Sequence, residues 1–333
     1  MKKFLLLAVF FITPFFTNAA TFVSGDITTD TTWTKAGSPY IINNDDPFIF
    51  VNPGVTLTIE PGAIVKFTDY SYIDVRGTLR AIGLIGDKIY FTSLKNDALG
   101  GDDNGGSDMI LPSAHDRWGV YFENNLTDNL IAFAEFSYSG DSVFVSQSSL
   151  TLRDVSFSNV DYGPGVSASR LVLERVNVEH GIREALNGYN GSEITAIDFV
   201  VKDIWEGDGI GLYDSELSLT RSSVDGVFDG SALGLYGAHA TATDSTFSNA
   251  LYSGAEIYDS WQNKLSTIYL ENCILENNLW SGLSVYGGSS AKVKKSVFRG
   301  SDYGLEVYDK NYPANVSSFL SIEQSAIYDN SEY

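Results

Sequence analysis

From Ile131 onward, apolar residues recur in pairs spaced two apart, one pair at i and i+2 and a second at i+5 and i+7, with Gly, Asn, Asp or His at i+9. Segments of this kind begin at Ile131, Leu150, Leu171, Ile194, Leu217, Ala240, Ile268, Ala291 and Leu320, so the motif returns about every 19 to 29 residues. A spacing of two puts alternate side chains on one face of a strand. The i+9 residues, among them Asn159, His180, Asp203, Asn249 and Gly300, are types that tolerate the left-handed backbone a sharp corner needs.

A second strand follows in most repeats, written Gly, apolar, any, apolar, Tyr. It reads Gly209-Ile210-Gly211-Leu212-Tyr213, then Gly254-Ala255-Glu256-Ile257-Tyr258, Gly282-Leu283-Ser284-Val285-Tyr286 and Gly304-Leu305-Glu306-Val307-Tyr308, with Leu233-Gly234-Leu235-Tyr236 lacking only its first Gly. Alternation predicts the apolar members inside and the intervening residue and Tyr outside. With no helical period anywhere, the pattern predicts an all-β solenoid of parallel strands, coil stacked on coil.

The N-terminal half is less regular. Apolar pairs at Val55, Leu57 and Ile59, at Val65 and Phe67, at Ile73 and Val75, and at Ile89 and Phe91 predict two or three further coils. A Gly-, Asp- and Asn-rich insertion occupies residues 95–117. The expected organisation is therefore a signal segment over 1–19, an N-terminal cap with irregular coils over 20–130, and regular coils over 131–333. About a dozen coils at ~4.8 Å each give a rod roughly 55–60 Å long with one continuous core.

The coil pattern is joined by the opening segment 33–40, the run Gly54-Val55-Thr56-Leu57-Thr58-Ile59-Glu60-Pro61-Gly62, Gly77-Thr78-Leu79, Phe91-Thr92-Ser93 and Arg117-Trp118-Gly119. Together these resemble secreted bacterial right-handed parallel β-helix proteins of the pectate-lyase-like superfamily. The resemblance implies a right-handed single-stranded parallel β-helix. It does not fix a function, because the superfamily holds lyases, hydrolases, epimerases, adhesins and surface proteins without known chemistry.

Composition narrows the partners. The 333 residues carry 42 Asp+Glu against 21 Lys+Arg, a formal charge of −21, and no basic cluster larger than Lys292, Lys294 and Lys295. A phosphate backbone or an anionic membrane surface needs a basic face, so nucleic acid is excluded as a partner. Lys2 and Lys3 precede an apolar run over residues 4–16 and the small-residue stretch Thr17-Asn18-Ala19-Ala20, the order of a secretory signal peptide cleaved after Ala19. The run holds about 13 residues and Pro14, short of the ~20 a spanning helix needs, so export to the cell surface or medium is expected without a membrane span.

Candidate chemistry is sparse. Polygalacturonase-like relatives carry Asn-Thr-Asp, Asp-Asp, Gly-His-Gly and Arg-Ile-Lys; here Glu179-His180-Gly181 is the nearest approach, and His180 stands in the corner column. Asp45-Asp46 and Asp102-Asp103 lie outside the regular coils, and no outward Arg column stands next to an acidic one. Glu256 and Glu306 are two coils apart, roughly 9.6 Å by rung spacing, the candidate acid–base pair if there is one. Tyr213, Tyr236, Tyr258, Tyr286 and Tyr308, bordered by Trp280, would line one face and offer flat rings to a glycan, or would serve only as a stabilising ladder. Asp102, Asp103, Asn104 and Asp108 would present oxygens to a Ca²⁺ ion, although no cofactor is required. Cys273 is the single cysteine and sits in the i+5 column, so it is expected to point inward and to be inert.

The last motif, Leu320 to Asp329, has no Gly-apolar-Tyr strand after it, so the final coil is expected to be incomplete, with a cap or anchor missing or a partner copy over the end. The expected function is a non-catalytic β-helix that binds extended polysaccharide or forms a rigid adhesin-like surface rod. The alternatives are a polysaccharide lyase or hydrolase and a purely structural spacer.

Overall fold

The computed structural model describes residues 20–42, 47–103, 111–260, 264–308 and 317–331. The signal segment, Asp45-Asp46, Asn104 and Asp108 lie outside them. Among the described residues one strand per coil builds a twelve-stranded sheet, and the other two sides of each coil merge into a 23-stranded sheet. Consecutive coils pair in parallel and in register, for example Ile210–Tyr213 on Leu233–Tyr236 and Glu193–Ile197 on Glu216–Thr220. Every coil buries its own apolar pairs on those of the next, so the core is one continuous column. In the N-terminal half its large members stack face to face: Phe67 on Trp118 at 4.2 Å, Phe91 on Phe136 at 4.5 Å and Phe136 on Phe157 at 4.9 Å between ring centroids.

The structure corrects the expected pattern in three places. The N-terminal half contributes four strands to the twelve-stranded sheet, Gly25–Ile27, Phe48–Val51, Ser71–Val75 and Trp118–Glu123, where two or three coils were expected. The repeat assigned to Ile131 is shifted by two, because Phe136 pairs with Phe157 and Ile131 with Leu152. Tyr138 therefore takes the corner place, at φ +59°, that Asn159 holds at +52° in the next coil. Third, the Tyr column is not fully outside: Tyr213, Tyr236, Tyr258 and Tyr286 are half-buried and only Tyr308 is exposed.

Each regular coil has a second left-handed corner, at i+4, which the residue types conceal. Asp154, Arg175, Asp198, Arg221, Asp244 and Lys295 all hold positive φ there. Arg175 donates to both oxygens of Asp154 at 2.6 and 2.8 Å, and Arg221 to both of Asp198 at 2.9 Å, so an alternating charge column offsets the strain that L-residues meet in this region. Arg and Asp thus alternate within one corner column from coil to coil.

The i+5 serines are internal despite their polarity. The Phe199 N–H donates to Ser222 Oγ at 3.0 Å, the Ser222 N–H to Ser245 Oγ at 3.1 Å and the Cys273 N–H to Ser296 Oγ at 3.1 Å, so each hydroxyl satisfies the backbone of the coil below. Cys273 is buried in that ladder, as its column position implies, and burial pushes its thiol up to about 11.

Candidate functional site

The outer face of the twelve-stranded sheet has two columns in its C-terminal half. One carries Tyr189, Tyr213, Tyr236, Tyr258, Tyr286 and Tyr308, whose centroids step 5.1, 4.8, 5.7, 4.5 and 6.0 Å from coil to coil. The first five rings lie within 10° of parallel and only Tyr308 tilts, by 69°. Tyr189 belongs to the column although its strand, Leu186–Tyr189, lacks the Gly-apolar-x-apolar-Tyr pattern. Because the parallel rings cover one another's faces, the column presents edges and hydroxyls to solvent, not the flat faces expected from the sequence.

The second column carries Gly211, Gly234, Glu256, Ser284 and Glu306 in consecutive coils. Its two glycines leave room over the sheet, and two acidic side chains from the preceding corner fill it. Glu184 and Asp208 hold the place occupied by Ser231, Ser253 and Ser281 in later coils. A Cβ on Gly234 would overlap Asp208 Oδ2, and one on Gly211 would stand 3.4 Å from Glu184 Cγ. Glycine is required at 234 for this close approach.

The result is a cleft of about 620 Å³ walled by Tyr213, Tyr236, Tyr258 and Tyr286 on one side and by Tyr252 and Trp280 on the other. Asp208 lies at its base, only 8% exposed. Its Oδ1 accepts from the Ser231 N–H at 2.9 Å and its Oδ2 from the Tyr236 hydroxyl at 3.0 Å. The Ser231 hydroxyl donates to Glu256 Oε2 at 2.7 Å, and the Tyr258 hydroxyl to Glu256 Oε1 at 2.5 Å. Ser231 thus holds two carboxylates together, one by its backbone and one by its side chain. Burial pushes Asp208 up to about 6, with the neighbouring Glu256 and Glu184 adding to the rise against its two hydrogen bonds. Burial likewise raises Glu184 and, with the facing carboxylates, Tyr213, Tyr236 and Tyr258. The column ends on Glu306, whose Oε2 accepts from Trp280 Nε1 at 2.9 Å and from the Tyr286 hydroxyl at 3.2 Å.

Residues 208–333 match the family model for the right handed beta helix region. The chain folds as a right-handed parallel β-helix. Among solved structures, this β-helix superposes on the periplasmic alginate epimerase AlgG with a TM-score of 0.62 over 90% of this chain and 84% of that chain, at 10% identity. A double mutant of that epimerase gives a TM-score of 0.56 over 86% and 77%, at 13% identity. These likenesses are in fold. No curated protein matches the β-helix by sequence.

The structure brings Glu256, Tyr213, Tyr236, Tyr258, Tyr286 and Trp280 of the sequence reading into one cleft and leaves Tyr308 and Glu306 beyond its lining, two coils from Tyr258 and Glu256. His180 is a corner residue at φ +56°, 3.7 Å from Asp203 and outside the cleft. In the insertion, Asp103 Oδ2 accepts from the fully buried Lys66 Nζ at 2.7 Å, with the Gly101 carbonyl also accepting at 2.6 Å. Asp103 thereby anchors the loop through an ion pair. Among the described residues no group of three or more acidic, His or Cys side chains is placed to hold a metal ion. Asp208 and Glu184 were not singled out in the sequence, and the available signal was faint: two acids heading a column that otherwise carries serine.

Proposed function

We propose that this exported β-helix seats an extended polysaccharide in the tyrosine-walled cleft, along the outer face of the twelve-stranded sheet. The observation that carries the proposal is the cleft itself, in which open aromatic rings face a row of hydrogen-bonding hydroxyls and carboxylates. Tyr252 and Trp280 are 44% and 50% exposed and have no stacked ring among the described residues, so they supply the apolar platforms for sugar rings. The Tyr column supplies a rigid wall of edges. The polysaccharide-acting neighbour in fold supports this reading by analogy.

A second reading, hydrolysis, is favoured by Asp208. A carboxyl pushed up to about 6 keeps its proton in mildly acidic solution and can deliver it there to a glycosidic oxygen, while Glu256, held across Ser231, activates the attacking water or takes the glycosyl group. Protonation of that oxygen breaks its bond to the sugar carbon, and water completes the product.

Electrophoresis through gels cast with polysaccharides, each stained afterwards for intact polymer, tests both readings. Binding predicts retarded migration that Trp280→Ala abolishes with little change in unfolding midpoint, whereas Tyr258→Ser lowers the midpoint. Hydrolysis predicts a cleared zone that Asp208→Asn and Glu256→Gln remove. Unimpaired retardation of Trp280→Ala would sink the assignment of the cleft.

A further inference from the structure

Every charged side chain that lines the cleft is acidic. Glu184, Asp208, Asp229 and Glu256 contribute carboxylates, and among the described residues no Lys, Arg or His contributes to its walls. The adjoining depression of about 270 Å³ between Phe144, Tyr162 and Tyr189 adds Asp141 and again no cation. Arg183, next in the chain to Glu184, is already engaged: it lies over the Tyr162 ring at 5.0 Å, donates to the Tyr162 hydroxyl at 2.6 Å, and approaches Asp161 and Glu206 at 3.6 and 3.9 Å. Further along the face, Glu306 continues the acidic column and hydrogen-bonds to Trp280 and Tyr286, with no cation partner among the described residues. The sheet face that would receive the polymer is thus negative over several successive coils.

From this geometry we infer that the cleft takes an uncharged polysaccharide and rejects polyuronates. The inference rests on the glycan reading of the cleft given above and specifies its substrate class. A polyuronate carries a carboxylate on every sugar, and drawing such a chain onto the cleft would bring like charges together where none of the described lining residues is a cation. Sugar hydroxyls, in contrast, are donors that four acceptor carboxylates can satisfy. Burial raises the proton affinity of Asp208 and Glu184, and neighbouring carboxylates add to it, Glu256 and Glu184 at Asp208 and Asp161 at Glu184, where Arg183 opposes the rise. The chain's overall charge of −21 adds long-range repulsion in the same direction. Fold likeness to an alginate epimerase therefore does not extend to the electrostatics a uronate polymer would need.

The test is affinity electrophoresis of the full exported chain in gels containing soluble α-glucan, β-glucan or mannan on one side and alginate or polygalacturonate on the other, at low and high salt. The expected result is retardation by at least one uncharged polymer, insensitive to salt, with the uronates inert at low salt and gaining weak retention as salt screens the repulsion. Asp229→Lys, an exposed position on the cleft rim, is expected to increase uronate retention several-fold at low salt. Uronate retention by the unaltered chain that is strongest at low salt would overturn the inference while leaving the glycan reading intact. Failure of every polymer, charged or not, would overturn the glycan reading itself and this inference with it.

Discussion

At the scale of single residues, Asp208 links the cleft to the stability of the fold through its proton. Its carboxyl titrates at about 6 in the folded chain against an ordinary 3.8. Between those values the folded state holds a proton that the unfolded state has lost, so stability falls as pH rises from about 4 to about 6 and stays lowered above it. The shift corresponds to about 2–3 kcal/mol at neutral pH. Asp208→Asn is therefore expected to be more stable relative to the unaltered chain at pH 8 than at pH 4, as read by urea unfolding at both. An equal difference at the two pH values would show that Asp208 is not shifted. Cys273 makes the opposite case, a group with no chemistry to offer: its buried thiol, pushed up to about 11, should resist alkylation in the native chain and react only on unfolding. Its inward place was legible because the i+5 column fixes side-chain direction whatever the residue. Asp208 was not legible in the same way, since its position is set by a hole over a glycine on the neighbouring coil, a contact between residues 26 apart.

At the scale of the strand, the glycine column decides what the cleft contains. Gly234 exists to let Asp208 reach Tyr236 and lie beside Glu256, so Gly234→Ala should displace the Asp208 carboxylate. The expected consequence is loss of any hydrolytic activity and a fall in the Asp208 titration towards its ordinary range, followed by carboxyl-resolved NMR, with the strand pairing retained. A full loss of the β-signal in circular dichroism would instead make Gly234 a residue of folding alone. Strands and their inward faces were readable from period-two alternation, which burial in successive coils enforces. The i+4 corners were hidden because Arg175, Arg221 and Lys295 are poor left-handed residues by type; their strain is offset by ion pairs to the adjacent coil, as Arg175 with Asp154 and Arg221 with Asp198. The Tyr column was legible as a column, but not its ring stacking, which depends on side-chain torsions that spacing does not fix.

At the scale of the whole molecule, stacking about a dozen coils converts local features into linear ones. A tyrosine repeated once per coil becomes a wall, a missing side chain becomes a trough, and acids in successive coils become a negative strip. That translation is how a repeat protein without any recognisable catalytic motif presents a cleft that spans several coils, the feature on which the proposed polysaccharide reading rests. It also explains the shift of frame at the first regular repeat: the stack aligns coils by core contacts, and Phe136 meets Phe157 whatever the surrounding residue types suggest. The most direct measurement of the central claim is the fluorescence of Trp280 during titration with soluble uncharged oligosaccharides, with Trp280→Phe as the reference. A saturable change in emission that disappears in Trp280→Phe is the predicted result, since Trp280 is the one tryptophan among the described residues lining the cleft. Polymer retention in gels together with an unchanged Trp280 emission would place the ligand elsewhere on the rod and contradict the account.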